Sequence, residues 1–140
     1  MAAPSVIRKP VTGVNEITRA IIAAAIKVHS ALGPGLLESA YQTCLLFELH
    51  RSGLKAQAQV PVPVIYDGIT IDVGYRLDLL VEDSVIVELK SIEAFTPVHE
   101  AQLLSYLKLS GKSVGLLINF NVKHLRSGIK RLVHGRNWSP

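Results

Sequence analysis

Apolar residues recur at helical spacing through the first third of the chain and at alternating spacing after it. Ile17, Ile21, Ala24, Val28 and Leu32 lie three or four apart, which predicts an amphipathic helix. Asn15 is its expected N-cap, and Gly33-Pro34-Gly35 is its expected stop. A second helix is expected from about Leu36 to Arg51, with an apolar stripe of Leu37, Tyr41, Cys44, Leu45 and Leu49 and an end at Ser52-Gly53. The period then shortens to two. Val60, Val62, Val64 and Tyr66 share one strand face, while Pro61 and Pro63 occupy the other. Two residues without an N–H confine such a strand to an edge or make it irregular. Asp67-Gly68 signals a hairpin turn.

The next strand is expected over Ile69 to Val81. Ile71, Val73, Tyr75, Leu77, Leu79 and Val81 line one face, and Asp72, Arg76 and Asp78 the other. Val85 to Lys90 reads as a third strand. Thr96-Pro97 opens a helix that runs to about Ser110 and stops at Gly111. Ser113 to Phe120 is apolar enough for a central strand, residues 129–133 add a short one, and Asn137 to Pro140 fray. The order α, α, β, β, β, α, β carries no internal repeat, linker or second domain. It predicts one α/β domain over residues 14–134, with a mixed sheet covered by helices, a flexible leader at 1–13 and a tail at 135–140.

Composition agrees with one folded domain. The chain has 140 residues, 49% hydrophobic and 19% charged, enough for a real core and too apolar for disorder. The single cysteine, Cys44, excludes an internal disulfide and reads as a buried thiol in a reducing, cytoplasmic setting. Arg8 and Lys9 have no adjacent apolar run, so no secretory signal is expected. The most apolar helix contains Arg19, Lys27 and His29, which argues against a membrane span. A net charge of +4 permits an acidic partner, nucleic acid included.

The charged residues in the strands sharpen that picture. Glu88 and Lys90 are two apart and share a strand face. A two-residue turn at Glu82-Asp83 sets Asp78 opposite Val87, a charge against an apolar residue. A three-residue loop at 82–84 pairs Val81 with Val85, Leu79 with Val87 and Leu77 with Leu89, and sets Asp78 opposite Glu88. Burial specifies register, so the second arrangement is favoured. Its two carboxylates have Cβ atoms roughly 5 Å apart. They repel, and one tends to keep a proton unless a cation sits between them. Oxygen ligands suit Mg²⁺ or Mn²⁺. Lys90 on the same face can orient an attacking water and offset negative charge. A solvated face of weak surface pairs among Asp72, Arg76, Asp78, Glu88 and Lys90 remains the plain alternative.

The chain resembles the PD-(D/E)xK nuclease superfamily on these residues. Asp78 matches the first acid, and Glu88-Leu89-Lys90 matches the (D/E)xK element; Leu77 stands where the family name has proline. More narrowly it is similar to the GxxExxY proteins. The namesake stretch is Gly35-Leu36-Leu37-Glu38-Ser39-Ala40-Tyr41. Asn15-Glu16-Ile17-Thr18, Val28-His29, Leu32-Gly33-Pro34-Gly35 and residues 99–111 also match. The resemblance covers about residues 14–134. It implies a restriction-endonuclease-like αβββαβ core with an additional N-terminal helix and a metal-dependent phosphodiesterase site. Asp78, Glu88, Glu38 and the Leu89 carbonyl would hold the metal. Lys90 would be the catalytic lysine, with Gln102 and Tyr106 matching the helix that follows in RecB-like nucleases.

Around these, substrate contacts are expected from Tyr106, His99, Tyr41 and Arg76. His29 reads as structural, and the absence of a Cys/His cluster removes any zinc expectation. Arg126, Lys130, Arg131 and Arg136 form a basic stretch that suits a phosphate backbone or a plain solvated surface. Three functions then compete. A Mg²⁺-dependent nuclease needs Asp78, Glu88 and Lys90 for cleavage. A nucleic-acid-binding or accessory protein on the same fold binds without turnover. An interaction module does neither. Nucleic acid is the expected partner, DNA ahead of RNA; a homodimer is expected to supply area for a long substrate, and no membrane is involved.

Overall fold

The computed structural model describes residues 13–135. The leader before Gly13, and the tail with Arg136 and Asn137 to Pro140, lie outside the described residues. Helices α1 (Val14–Leu32) and α2 (Glu38–Arg51) are followed by strands β1 (Ala56–Pro61), β2 (Val64–Tyr66), β3 (Ile69–Ile71), β4 (Arg76–Val81) and β5 (Val85–Lys90). Then come α3 (Pro97–Ser110), β6 (Val114–Asn119), a short 3₁₀ turn over Leu125–Gly128, and β7 (Ile129–Val133). Five strands form one sheet in the order β1-β4-β5-β6-β7, and β2 with β3 forms a separate hairpin. The β5–β6 pair is parallel and the other pairs of the large sheet are antiparallel. The α2-β1-β4-β5-α3-β6 succession is the expected αβββαβ core with a mixed sheet, and α1 is the additional N-terminal helix.

Two apolar clusters sandwich the sheet. On one side Ile17, Ile21, Ala25 and Val28 of α1 and Tyr41, Leu45 and Leu49 of α2 pack against Leu79, Val81, Val85, Val87, Leu116 and Ile118. On the other, Leu103, Tyr106 and Leu107 of α3 pack against Val62, Leu77, Leu80, Ile86 and Leu117. Helix α3 comes close enough that a Cβ at Gly115 would lie 2.9 Å from a Leu103 methyl, so β6 carries a glycine where the helix crosses. Strand β6 is buried along its whole length, as its apolar run predicts.

Several local expectations are corrected. Gly13, not Asn15, is the residue at the N-cap of α1. Helix α2 begins at Glu38, and Leu37 lies just outside it, 77% exposed. Cys44 is half-buried and not a full core residue. The long strand expected over residues 69–81 is two strands. Asp72 accepts the Gly74 N–H at 2.9 Å, and Gly74 has φ 86°. That side-chain turn ends β3 and lets β2–β3 leave the sheet as a hairpin. Ile65, Tyr66, Ile69, Val73 and Tyr75 are consequently exposed. The Asp67-Gly68 turn forms as expected, both residues at positive φ.

Candidate active site where β4 and β5 part

The β4–β5 register is the one that burial favours at two of the expected pairs, Val81 with Val85 and Leu79 with Val87; the expected Leu77–Leu89 pair does not form, because Leu77 turns to the α3 cluster while Leu89 stays in the α1–α2 cluster. The loop spans residues 82–84, with Glu82 and Asp83 both at φ 51° and the Ser84 N–H donating to the Val81 carbonyl at 3.0 Å. Backbone pairing stops at Leu79/Val87. Beyond that point two side chains replace the ladder. The Asp78 N–H donates to Glu88 Oε1 at 3.1 Å, and the Leu89 N–H donates to Asp78 Oδ2 at 2.8 Å. Each acid thus accepts an N–H from the facing strand, which fixes both carboxylates in orientation. Gln59 of β1, held at φ 55°, reaches Asp78 Oδ1 at 3.5 Å and Gln42 of α2 at 2.7 Å.

Glu88 is only 5% exposed. Burial first, and then the negative charge of Asp78, push its pKa up from 4.5 to about 8, against a smaller opposing influence of the Lys90 ammonium. At neutral pH without a cation the pair therefore holds one proton. Tyr106 of α3 is buried beside it, and its hydroxyl accepts Gln102 Nε2 at 3.0 Å. Burial, followed by the charge of Glu88, holds the Tyr106 phenol above its ordinary pKa. Asp78, Glu88, Lys90 and Tyr106 thus act on one another electrically, with Gln102 in contact with the last.

The remaining expected site residues are engaged with other partners. Glu38 accepts the Ser91 N–H at 3.4 Å, and Ser91 Oγ donates to the Leu36 carbonyl at 2.6 Å. Together they tie the α1–α2 loop to the residue after Lys90. Tyr41 is 0% exposed and stacks on Phe120 with centroids 4.3 Å apart. Its hydroxyl donates to the Gly33 carbonyl at 2.5 Å and accepts the Leu36 N–H at 3.1 Å. It closes the Gly-Pro-Gly loop and is out of a substrate's reach, contrary to the substrate-contact expectation. His99 Nδ1 accepts the Thr96 N–H at 2.9 Å, completing a capping box at the start of α3; with Nδ1 as acceptor, the ring's N–H is on Nε2. Arg76 pairs with Asp72 at 3.6 Å on the hairpin side. His29 is structural as expected, bonded to the Val122 carbonyl at 2.8 Å.

Asn119 is a residue that the alternation did not single out. Its side chain, 3% exposed, bonds both backbone groups of Ile92. The signal available in the sequence was a polar residue closing the otherwise apolar run VGLLIN.

Among the described residues, no three or more His, Cys, Asp or Glu side chains come together as a group that could hold a metal ion. Glu38, engaged by Ser91, does not join Asp78 and Glu88 in such a group. The donor set is therefore two carboxylates. That set fits a hard divalent cation such as Mg²⁺, which is commonly held by one or two carboxylates, its own waters and substrate phosphate.

A family model described as the PD-(D/E)XK nuclease superfamily matches residues 15–132. The chain belongs to this superfamily. No curated protein matches it. Among solved structures, the crystal structure of SSO0001 is similar at 16% identity and a TM-score of 0.43, over 95% of this chain and 72% of that one. Among the described residues, no helix of this superfamily member is long and apolar enough to cross a membrane.

Proposed function

We propose that the chain engages nucleic-acid phosphates where β4 and β5 part, and that the activity of this site is Mg²⁺- or Mn²⁺-dependent hydrolysis of phosphodiester bonds. Within the superfamily we read it as a GxxExxY protein. One observation carries the proposal: Asp78 and Glu88 are each held by an N–H of the facing strand, Asp78 half-buried and Glu88 buried, and Glu88 keeps its proton to about pH 8. A buried carboxyl whose pKa is pushed up by burial and a neighbouring acid is the kind of group that concentrates at functional sites.

Asp78 and Glu88 would hold the cation. When bound, it would supply a counter-charge for the phosphate and a lowered pKa for a water. Lys90, on the Glu88 face, offsets the charge that develops on the phosphate oxygens and orients the nucleophilic water. Tyr106 stays protonated because its pKa is raised, and Gln102 occupies one of its lone pairs. Its O–H is left to donate toward a phosphate oxygen. Glu38 serves by holding the chain just beyond Lys90. DNA is the first substrate class to test.

The second reading is a nucleic-acid-binding or accessory protein on the same fold, without turnover. A specific observation favours it: no third acidic, histidine or cysteine ligand joins the pair among the described residues. The family match and this ligand set support it more directly than they support catalysis, because both speak to fold and donors and neither to turnover. The two readings separate on labelled single- and double-stranded DNA and RNA incubated with Mg²⁺ or Mn²⁺, with Glu88→Gln and EDTA as controls. Cleavage lost in both controls supports the nuclease. Binding that falls with salt, without cleavage of any substrate, supports the second reading. Full cleavage by Glu88→Gln removes this site from either account.

A further inference from the structure

Asn119 ends β6 as the parallel register partner of Lys90. Both functional groups of its amide are used. Oδ1 accepts the N–H groups of Ile92 and Asn121, each at 3.1 Å, and Nδ2 donates to the Ile92 carbonyl at 2.9 Å. One residue along, the Phe120 N–H donates to the Lys90 carbonyl at 2.9 Å. The β5–β6 pairing thus continues past Lys90, with a side chain standing in for the next strand residue. Asn121 Nδ2 adds a longer bond to the same Ile92 carbonyl, 3.4 Å.

We propose that Asn119 is a positioning residue for Lys90, an inference that rests on reading Lys90 as a site residue. Lys90 is the last residue of β5, and its ammonium sits on a stem of four carbons. Where that ammonium can reach depends on where the strand end is held. Burying an amide is unfavourable unless its groups are bonded. An apolar residue would fill the same place in β6, whose other side chains are apolar or absent. What asparagine adds is a donor and an acceptor aimed at the backbone two residues beyond Lys90. Its Oδ1 faces two N–H groups and its Nδ2 faces a carbonyl, so the amide orientation follows from its partners.

The test uses the full chain with Asn119→Ala, and Asn119→Asp as the second variant. Aspartate keeps the acceptor for both N–H groups and loses the donor to Ile92. Cleavage kinetics are read as kcat and KM separately, at a temperature where each variant is fully folded by circular dichroism. The Lys90 side-chain ¹³Cε resonance is followed by NMR in metal-free protein. A misplaced group of about 1 Å can cost about 100-fold in rate. Asn119→Ala is therefore expected to lower kcat by about 100-fold, with KM changed by no more than about twofold, and to shift the Lys90 resonance. Asn119→Asp is expected between wild type and Asn119→Ala. Wild-type kcat with an unmoved Lys90 resonance overturns the proposal, as does a loss of rate with that resonance unmoved. Should the wild type cleave nothing, the nuclease reading fails on its own. The Lys90 resonance then still decides whether Asn119 positions it, and Asn119→Asp carries the same comparison if the alanine variant does not fold.

Discussion

Binding of a divalent cation should expel a proton from the Asp78–Glu88 pair, and the structure gives the pH range. Glu88 titrates at about 8 without metal because it is buried and faces Asp78. About one molecule in ten then carries an ionised Glu88 at pH 7, and about one in a hundred at pH 6. Only the ionised form is a full ligand. Apparent Mn²⁺ affinity should rise about tenfold per pH unit between pH 6 and pH 8 and level off above, with an opposing cost near 1.4 kcal/mol at pH 7. Isothermal titration calorimetry at pH 6, 7, 8 and 9, in buffers of different ionisation enthalpy, measures both the affinity and the protons released. About 0.9 proton per ion should appear at pH 7, and Glu88→Gln should bind more weakly with no such dependence. Affinity that is flat from pH 6 to pH 8, or binding without proton release, would refute a protonated carboxylate pair as the cation site.

Three further outcomes follow from the same geometry. Because the folded pKa of Glu88 is raised from 4.5 to about 8, the stabilisation from its protonated form is complete below pH 4.5 and lost as pH rises toward 8, at about 1.4 kcal/mol per pH unit. Chemical denaturation of metal-free protein should therefore show Glu88→Gln overtaking wild type as pH increases; parallel curves would contradict the shift. Tyr41→Phe keeps the stack on Phe120 but removes the hydroxyl from the Gly33 carbonyl and Leu36 N–H. It should cost about 1–2 kcal/mol in urea unfolding, and an unchanged midpoint would argue against a closing role in that loop. A Cβ at Gly128 would press on the Asn119 carbonyl and lie 3.1 Å from a Val122 methyl. Gly128→Ala should lower stability by about 1–3 kcal/mol in the same assay, and a neutral substitution would mean the Asn119 turn is looser than described.

The β4–β5 register was legible because four apolar residues, Leu79, Val81, Val85 and Val87, can share the α1–α2 core in one alignment only. That alignment carries Asp78 and Glu88 to the same level as a consequence, so the pair was legible too. The break between β3 and β4 was not. Alternation continues from Ile69 to Leu79, and the turn made by Asp72 and Gly74 depends on a side-chain bond that periodicity does not register. The roles of Tyr41, His99 and Asn119 were hidden for a related reason. Each uses its polar group on backbone atoms whose position is set by the fold or by a local cap: Gly33 and Leu36 for Tyr41, Thr96 for His99, Ile92 for Asn119. Residue type suggested chemistry in the first two cases; their partners show structural work. In Glu38 the motif led to the right neighbourhood, beside the end of β5, while its bond to Ser91 gives it a clamping part.

The most direct test of the central claim is a crystal structure of the full chain soaked in Mn²⁺ above pH 8, read by anomalous difference density. The account predicts a peak at the Asp78 and Glu88 carboxylates, with Lys90 on the same strand face as Glu88. A Mn²⁺ peak elsewhere, with none at the two acids, would contradict it.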